Sequence, residues 1–116
     1  MRDHLKLRAF ELADELAVLT YRVTRSLPKE ENFGLVSQMR RAAISVPSNI
    51  VEGCARESQS EYHRFLEIAF GSLRELHYQF GLATRLGYIK EPEIIECDLK
   101  FQETEKVLGA LMRKMR

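Results

Sequence analysis

The chain has few cysteines, almost no net charge and no long apolar run, and each shortage removes a class of protein. Two cysteines, Cys54 and Cys97, are too few to staple a disulfide scaffold. Both are expected to stay reduced and buried as small hydrophobes. Eighteen basic residues against seventeen acidic ones leave a formal charge of +1, so no global field draws the chain to nucleic acid or to a membrane surface. Apolar runs are short and interrupted by charge, which excludes a transmembrane helix. The stretch from Arg2 to Lys6 is polar and lacks the apolar core of a signal peptide, so a cytoplasmic location is expected. No strand pattern, linker, repeat or low-complexity segment competes for attention.

What is present is ordinary globular composition, 45% hydrophobic and 30% charged over 116 residues, the size of one compact domain spanning 1–116. The period is helical nearly throughout. Ala9, Leu12, Leu16, Leu19 and Val23 alternate steps of three and four, with Phe10, Ala13, Ala17 and Tyr21 as a second seam beside them. One partner helix needs only one such seam. A second helix carries Leu35, Met39, Ala42, Ala43, Val46 and Ile50 inward. Ser58 and Glu61 form an S-x-x-E capping box that opens a third, with Tyr62, Phe65, Leu66, Ala69, Leu73, Leu76, Phe80 and Ala83 facing the core. A fourth begins near Pro92 and runs through Ile94, Ile95, Leu99, Phe101, Leu108 and Met112. The predicted helices cover about 6–27, 34–54, 58–86 and 92–114, and short connections imply an all-α, up-down-up-down antiparallel four-helix bundle.

The second helix holds the most distinctive stretch, GLVSQMRRAAISVPSNIVEG, residues 34–53. Pro47 lacks the N–H of an interior helical residue and crowds the carbonyl of Ala43, which implies either a kink or a break. Gln38, Arg41, Ser45, Asn49 and Glu52 recur at steps of three and four, so an unbroken helix places them on one stripe. The third helix offers Ser72, Glu75 and Gln79 at matching spacing, and an antiparallel hairpin brings Arg41 level with Glu75, where an ion pair is expected. Two readings of this stripe stand: a satisfied polar layer that fixes helix register or a subunit contact, and a ligand or RNA contact. Arg40 points about 100° away from Arg41. With Arg56, Arg64 and Arg74 it makes either a phosphate-binding surface or, given the interleaved Glu57, Glu61, Glu67 and Glu75, a solvated face of mixed charge. Arg113, Lys114 and Arg116 read as a cationic last turn that favours the helix dipole.

Catalytic, metal and cofactor constellations fail on spacing. A di-iron bundle wants glutamate three residues before histidine, and the residues there are Ser60 and Arg74. Cys54 and Cys97 lack zinc-site neighbours. Gly34, Gly53, Gly71 and Gly81 form no phosphate-cradling loop, and Gly71 with Ser72 is expected to permit close helix packing, while Gly53 suits a helix end. No catalytic residue, metal or cofactor is therefore assigned.

The GL-x-x-Q-x-RRA core, the S-x-P-x-NI-x-EG turn, the A-x-GS-x-x-EL run and LATRLGYI together resemble a bacterial four-helix bundle family. Its founding members are encoded in intervening sequences of 23S ribosomal RNA genes. The resemblance runs from about Phe10 through Ile89, with Val51 where alanine is common and Phe10 where tryptophan is frequent. It implies a fold similar to the accessory protein of diversity-generating retroelements, a five-membered ring that binds reverse transcriptase and RNA. A homopentamer without enzymatic activity is thus the expected assembly. Its expected role is a scaffold that docks another protein; the second reading is an RNA-binding accessory protein, although this chain is near neutral where the retroelement relatives are basic.

Overall fold

The computed structural model describes residues 2–116. Four helices make up the fold: α1 Arg8–Thr24, α2 Leu35–Cys54, α3 Gln59–Arg85 and α4 Glu93–Lys114. Single 3-10 turns at His4–Lys6 and Lys29–Glu31 precede α1 and α2, and there is no strand among the described residues. The result is an all-α four-helix bundle. Among the described residues, α1 packs on α2 and α4, α3 packs on the same two, and the backbones of neither diagonal pair approach closely.

Local chemistry explains the ends. α1 stops at Thr24, because the N–H groups of Arg25, Ser26 and Leu27 tighten onto carbonyls three residues back instead of continuing the helix to Leu27. Ser58 caps α3 by accepting the Glu61 N–H at 3.1 Å, but the Glu61 carboxylate does not return the bond. It turns to Arg64 at 3.0 Å, so only half of the expected capping box forms. Gly87, at φ +80°, ends α3, and the Tyr88 N–H reaches back to the Ala83 carbonyl at 2.9 Å, closing a turn that only a residue at ease with positive φ supports. α2 runs unbroken across Pro47, which is itself buried.

The core is one continuous cluster. Leu12, Leu16, Met39, Ile50, Tyr62, Leu66, Leu73, Leu76, Phe101 and Leu108 are its largest fully buried side chains. On α4 the expected facing fails in part. Ile95 and Leu99 are 56% and 62% exposed, and the inward row is Cys97, Phe101, Thr104 and Leu108. Thr104 is admitted because its hydroxyl donates to the Lys100 carbonyl at 2.7 Å, satisfying the group within its own helix.

Gly53 lies at the end of α2 as expected, but the close approach expected at Gly71 occurs at Gly53 instead. A Cβ on Gly71 meets nothing within 4 Å, so that residue permits no close approach. Gly53 does: a Cβ there would stand 2.9 Å from Phe65 Cβ and 3.4 Å from the Tyr62 carbonyl. The end of α2 lies against the start of α3 at a distance that only glycine allows.

Candidate functional site

The polar stripe between α2 and α3 divides into a bonded part and an open part. Ser45 and Ser72 share a hydrogen bond of 2.8 Å across the two helices. Asn49 donates to the Ser45 carbonyl at 2.7 Å and to the Ser45 hydroxyl at 3.0 Å. These three half-buried residues form a closed network that ties α2 to α3 at one register. Above them a hollow of about 170 Å³ is lined by Gln38, Arg41, Ala42, Ser45, Ser72 and Glu75.

Arg41 and Glu75 share that hollow without the expected ion pair. Both are exposed, where a pair gains little over hydration. The Glu75 carboxylate instead accepts from Gln79 on its own helix at 3.2 Å. Gln79 is buried, and its Oε1 has no partner in the protein.

The remaining candidate arginines point elsewhere. Arg40, off the stripe, turns to α1, where its Nε donates to the Thr24 hydroxyl at 2.9 Å and its guanidinium lies 4.5 Å from the centre of the Tyr21 ring. Glu52 holds Arg56 at 3.0 Å. Glu61 holds Arg64, and that arginine keeps the Glu61 carboxyl below its ordinary range. Arg74 reaches Glu105 at 3.3 Å. The structure therefore does not gather Arg40, Arg56, Arg64 and Arg74 into one free cationic surface. Arg56, Arg64 and Arg74 follow the mixed-charge reading, each beside a carboxylate.

Both cysteines are free and buried. Burial raises the Cys54 thiol, and that of Cys97 is pushed up to about 12 by burial and by Glu96, Glu93 and Asp98 around it. Neither is the thiolate a nucleophile requires. The Tyr62 hydroxyl beside Cys54 is likewise pushed up to about 12, by burial first. Among the described residues no three His, Cys, Asp or Glu side chains converge as a metal site.

Two features had no signal in the one-dimensional pattern. His77 Nδ1 lies 2.7 Å from Glu105 Oε2, and the imidazole stacks flat on Phe101, with centroids 4.5 Å apart. The partners are 28 positions apart and on different helices, so no spacing rule could join them. The second feature is a set of exposed apolar side chains on α1 and the two helices packed against it. Val18 and Tyr21 on α1, Ile44 and Val51 on α2, and Ile95 and Leu99 on α4 are all exposed. Val18 borders one depression with Tyr21, Arg22 and Arg25 and another with Glu96 and Lys100, so it sits where the exteriors of α1 and α4 meet. No helix among the described residues is long and apolar enough to cross a membrane.

Comparison with known proteins places this geometry. The family described as 23S rRNA-intervening sequence protein matches residues 5–110. A crystal structure of a protein with unknown function from the S23 ribosomal protein family of Bacteroides thetaiotaomicron superposes with a TM-score of 0.82 at 23% identity. The match covers 90% of this chain and 97% of that one, and shows a shared fold. No curated protein matches.

Proposed function

The chain belongs to the 23S rRNA-intervening sequence protein family, and from that premise we propose that it is a non-catalytic, self-associating bundle that serves as a cytoplasmic protein-interaction scaffold. The observation that carries this reading is the exposed row Val18, Tyr21, Ile44, Val51, Ile95 and Leu99 on α1 and its two neighbours. Six large apolar side chains exposed on adjoining helices gain free energy when a partner covers them. A closed ring is the assembly we favour, five-membered as the family resemblance implies, since a heterologous contact must close or else propagate as a filament. The polar chemistry supports a role without catalysis: burial raises both thiols, and Ser45, Ser72 and Asn49 bond one another rather than a histidine base.

Size-exclusion chromatography with light scattering tests the proposal directly. A mass of several protomers is expected, falling to one when Val18 and Ile44 are both replaced by Asp; a wild-type monomer at high concentration would overturn it. The second reading, an RNA-binding accessory protein, draws on Arg22, Arg25 and Arg41, which make no ion pair among the described residues. Anisotropy of a labelled structured RNA decides it: binding that weakens steeply with salt favours RNA through phosphate neutralisation. Absence of binding at low salt leaves the scaffold.

A further inference from the structure

We propose that the hollow between the end of α3 and the start of α4 binds a free α-amino acid with a small branched apolar side chain. The hollow has a volume of about 300 Å³, the lower limit for small-molecule sites. Phe80, Ile89, Ile94 and Cys97 supply its apolar lining, and all but the half-buried Ile94 are core residues, so the lining is rigid. The protonated Cys97 thiol behaves here as one more apolar surface.

The polar groups of the hollow define the ligand's head. Arg85 and Asp98 line it from facing helices, carry opposite charges, and form no ion pair with each other or with any other described residue. Arg85 donates its Nε to the Gly81 carbonyl at 3.3 Å and lies 6.0 Å from the centre of the Tyr78 ring, and its two terminal nitrogens make no hydrogen bond among the described residues. Both side chains are exposed at the rim, so a fatty acid would engage Arg85 alone and a simple amine Asp98 alone. A zwitterion carrying carboxylate and ammonium on one carbon satisfies both at once.

His77 adds a third fixed group. Its Nδ1 is held by Glu105 and its face by Phe101, neither of which lines the hollow, so the ring is fixed by groups outside it. Gly81 also lines the hollow, and a Cβ there would meet nothing within 4 Å, so a side chain can be added without a clash. On this proposal a leucine at that position crowds the hollow while keeping the helix.

The test is titration of the isotope-labelled full chain with L-leucine, followed by amide chemical shifts, alongside isocaproate (no ammonium) and isoamylamine (no carboxylate). Leucine is expected to saturate at millimolar concentration with shifts centred on His77, Ile89 and Ile94, and each analogue to bind roughly tenfold more weakly, the loss of one charge-assisted hydrogen bond. Asp98→Asn should weaken leucine and leave isocaproate unchanged, while Arg85→Gln should weaken leucine and spare isoamylamine. Gly81→Leu should abolish binding while the melting temperature holds or rises, because leucine is the better helix former. Absence of leucine-dependent shifts would overturn the proposal, as would equal binding of either analogue or variants that bind as the parent chain does.

Discussion

Replacing Gly53 by alanine should destabilise the bundle, whereas the same replacement at Gly71 should stabilise it. Both residues lie within helices, so both gain the roughly 0.5–1 kcal/mol by which alanine exceeds glycine in a helix. What differs is the space. At Gly71 the new methyl faces solvent, but at Gly53 it would stand 2.9 Å from Phe65 Cβ and 3.3 Å from Tyr62 Cδ1. Phe65 Cβ is fixed to its backbone and the Tyr62 carbonyl is backbone itself, so no rotamer change relieves the overlap and α3 must move. Such overpacking costs about 1–3 kcal/mol. The propensity gain is smaller at Gly53, at the end of α2, than at Gly71 inside α3, so the difference between the variants is at least the packing cost of about 1–3 kcal/mol. Urea denaturation followed by far-UV circular dichroism measures it, with both variants at one protein concentration because self-association would add to apparent stability. Converted to temperature at roughly 3–6 °C per kcal/mol for a domain of this size, Gly53→Ala should melt at least ~3 °C below Gly71→Ala. Equal stabilities within about 0.5 kcal/mol would refute the claim that glycine sets the spacing of α2 and α3.

Two stability predictions stand beside this one. Ser58→Ala removes the side-chain acceptor of the Glu61 N–H and should cost about 1 kcal/mol, read as a lower urea midpoint with unchanged slope. Stability should also fall on the alkaline side. Cys97 and Tyr62 are both raised to about 12 in the folded chain, so folding favours their protonated forms. That contribution is complete below the unfolded values of about 8.5 for thiol and about 10 for phenol, and it is lost as pH rises through those values toward about 12. Urea midpoints measured up this range should decline, and Cys97→Ala should flatten the earlier part of the decline; a midpoint independent of pH would contradict the assignment.

Helix type was legible because burial repeats every 3.6 residues and α1, α2 and α3 carry that repeat in unambiguous aliphatic side chains. On α4 the repeat is written in Cys97 and Thr104, small or polar residues that hide a buried row, while Ile95 and Leu99 advertise a facing they do not have. Exposure of those two is also what makes them useful to the proposed assembly. The polar stripe was legible as a stripe: Ser45, Asn49 and Ser72 meet as their spacing implies. Its charged members were not, since Arg41 and Glu75 stay apart in solvent, and neither was the course of Arg40, off the stripe, which crosses to α1 to lie on Tyr21. Long flexible side chains near water have several nearly equal resting places, and spacing cannot choose among them.

Periodicity, capping and proline–glycine punctuation act through residues a few positions apart, so the chain alone determined that it forms four helices, which faces of the first three turn inward, and which family motifs it bears. The tertiary structure decided whatever depends on two helices meeting at a particular height. It made Gly53 rather than Gly71 the point of close approach, set His77 against Glu105, and left Arg85 and Asp98 unpaired on either side of one hollow. Such pairings depend on the offset and rotation of whole helices. Those are set by the sum of many core contacts, and no local run of sequence records them.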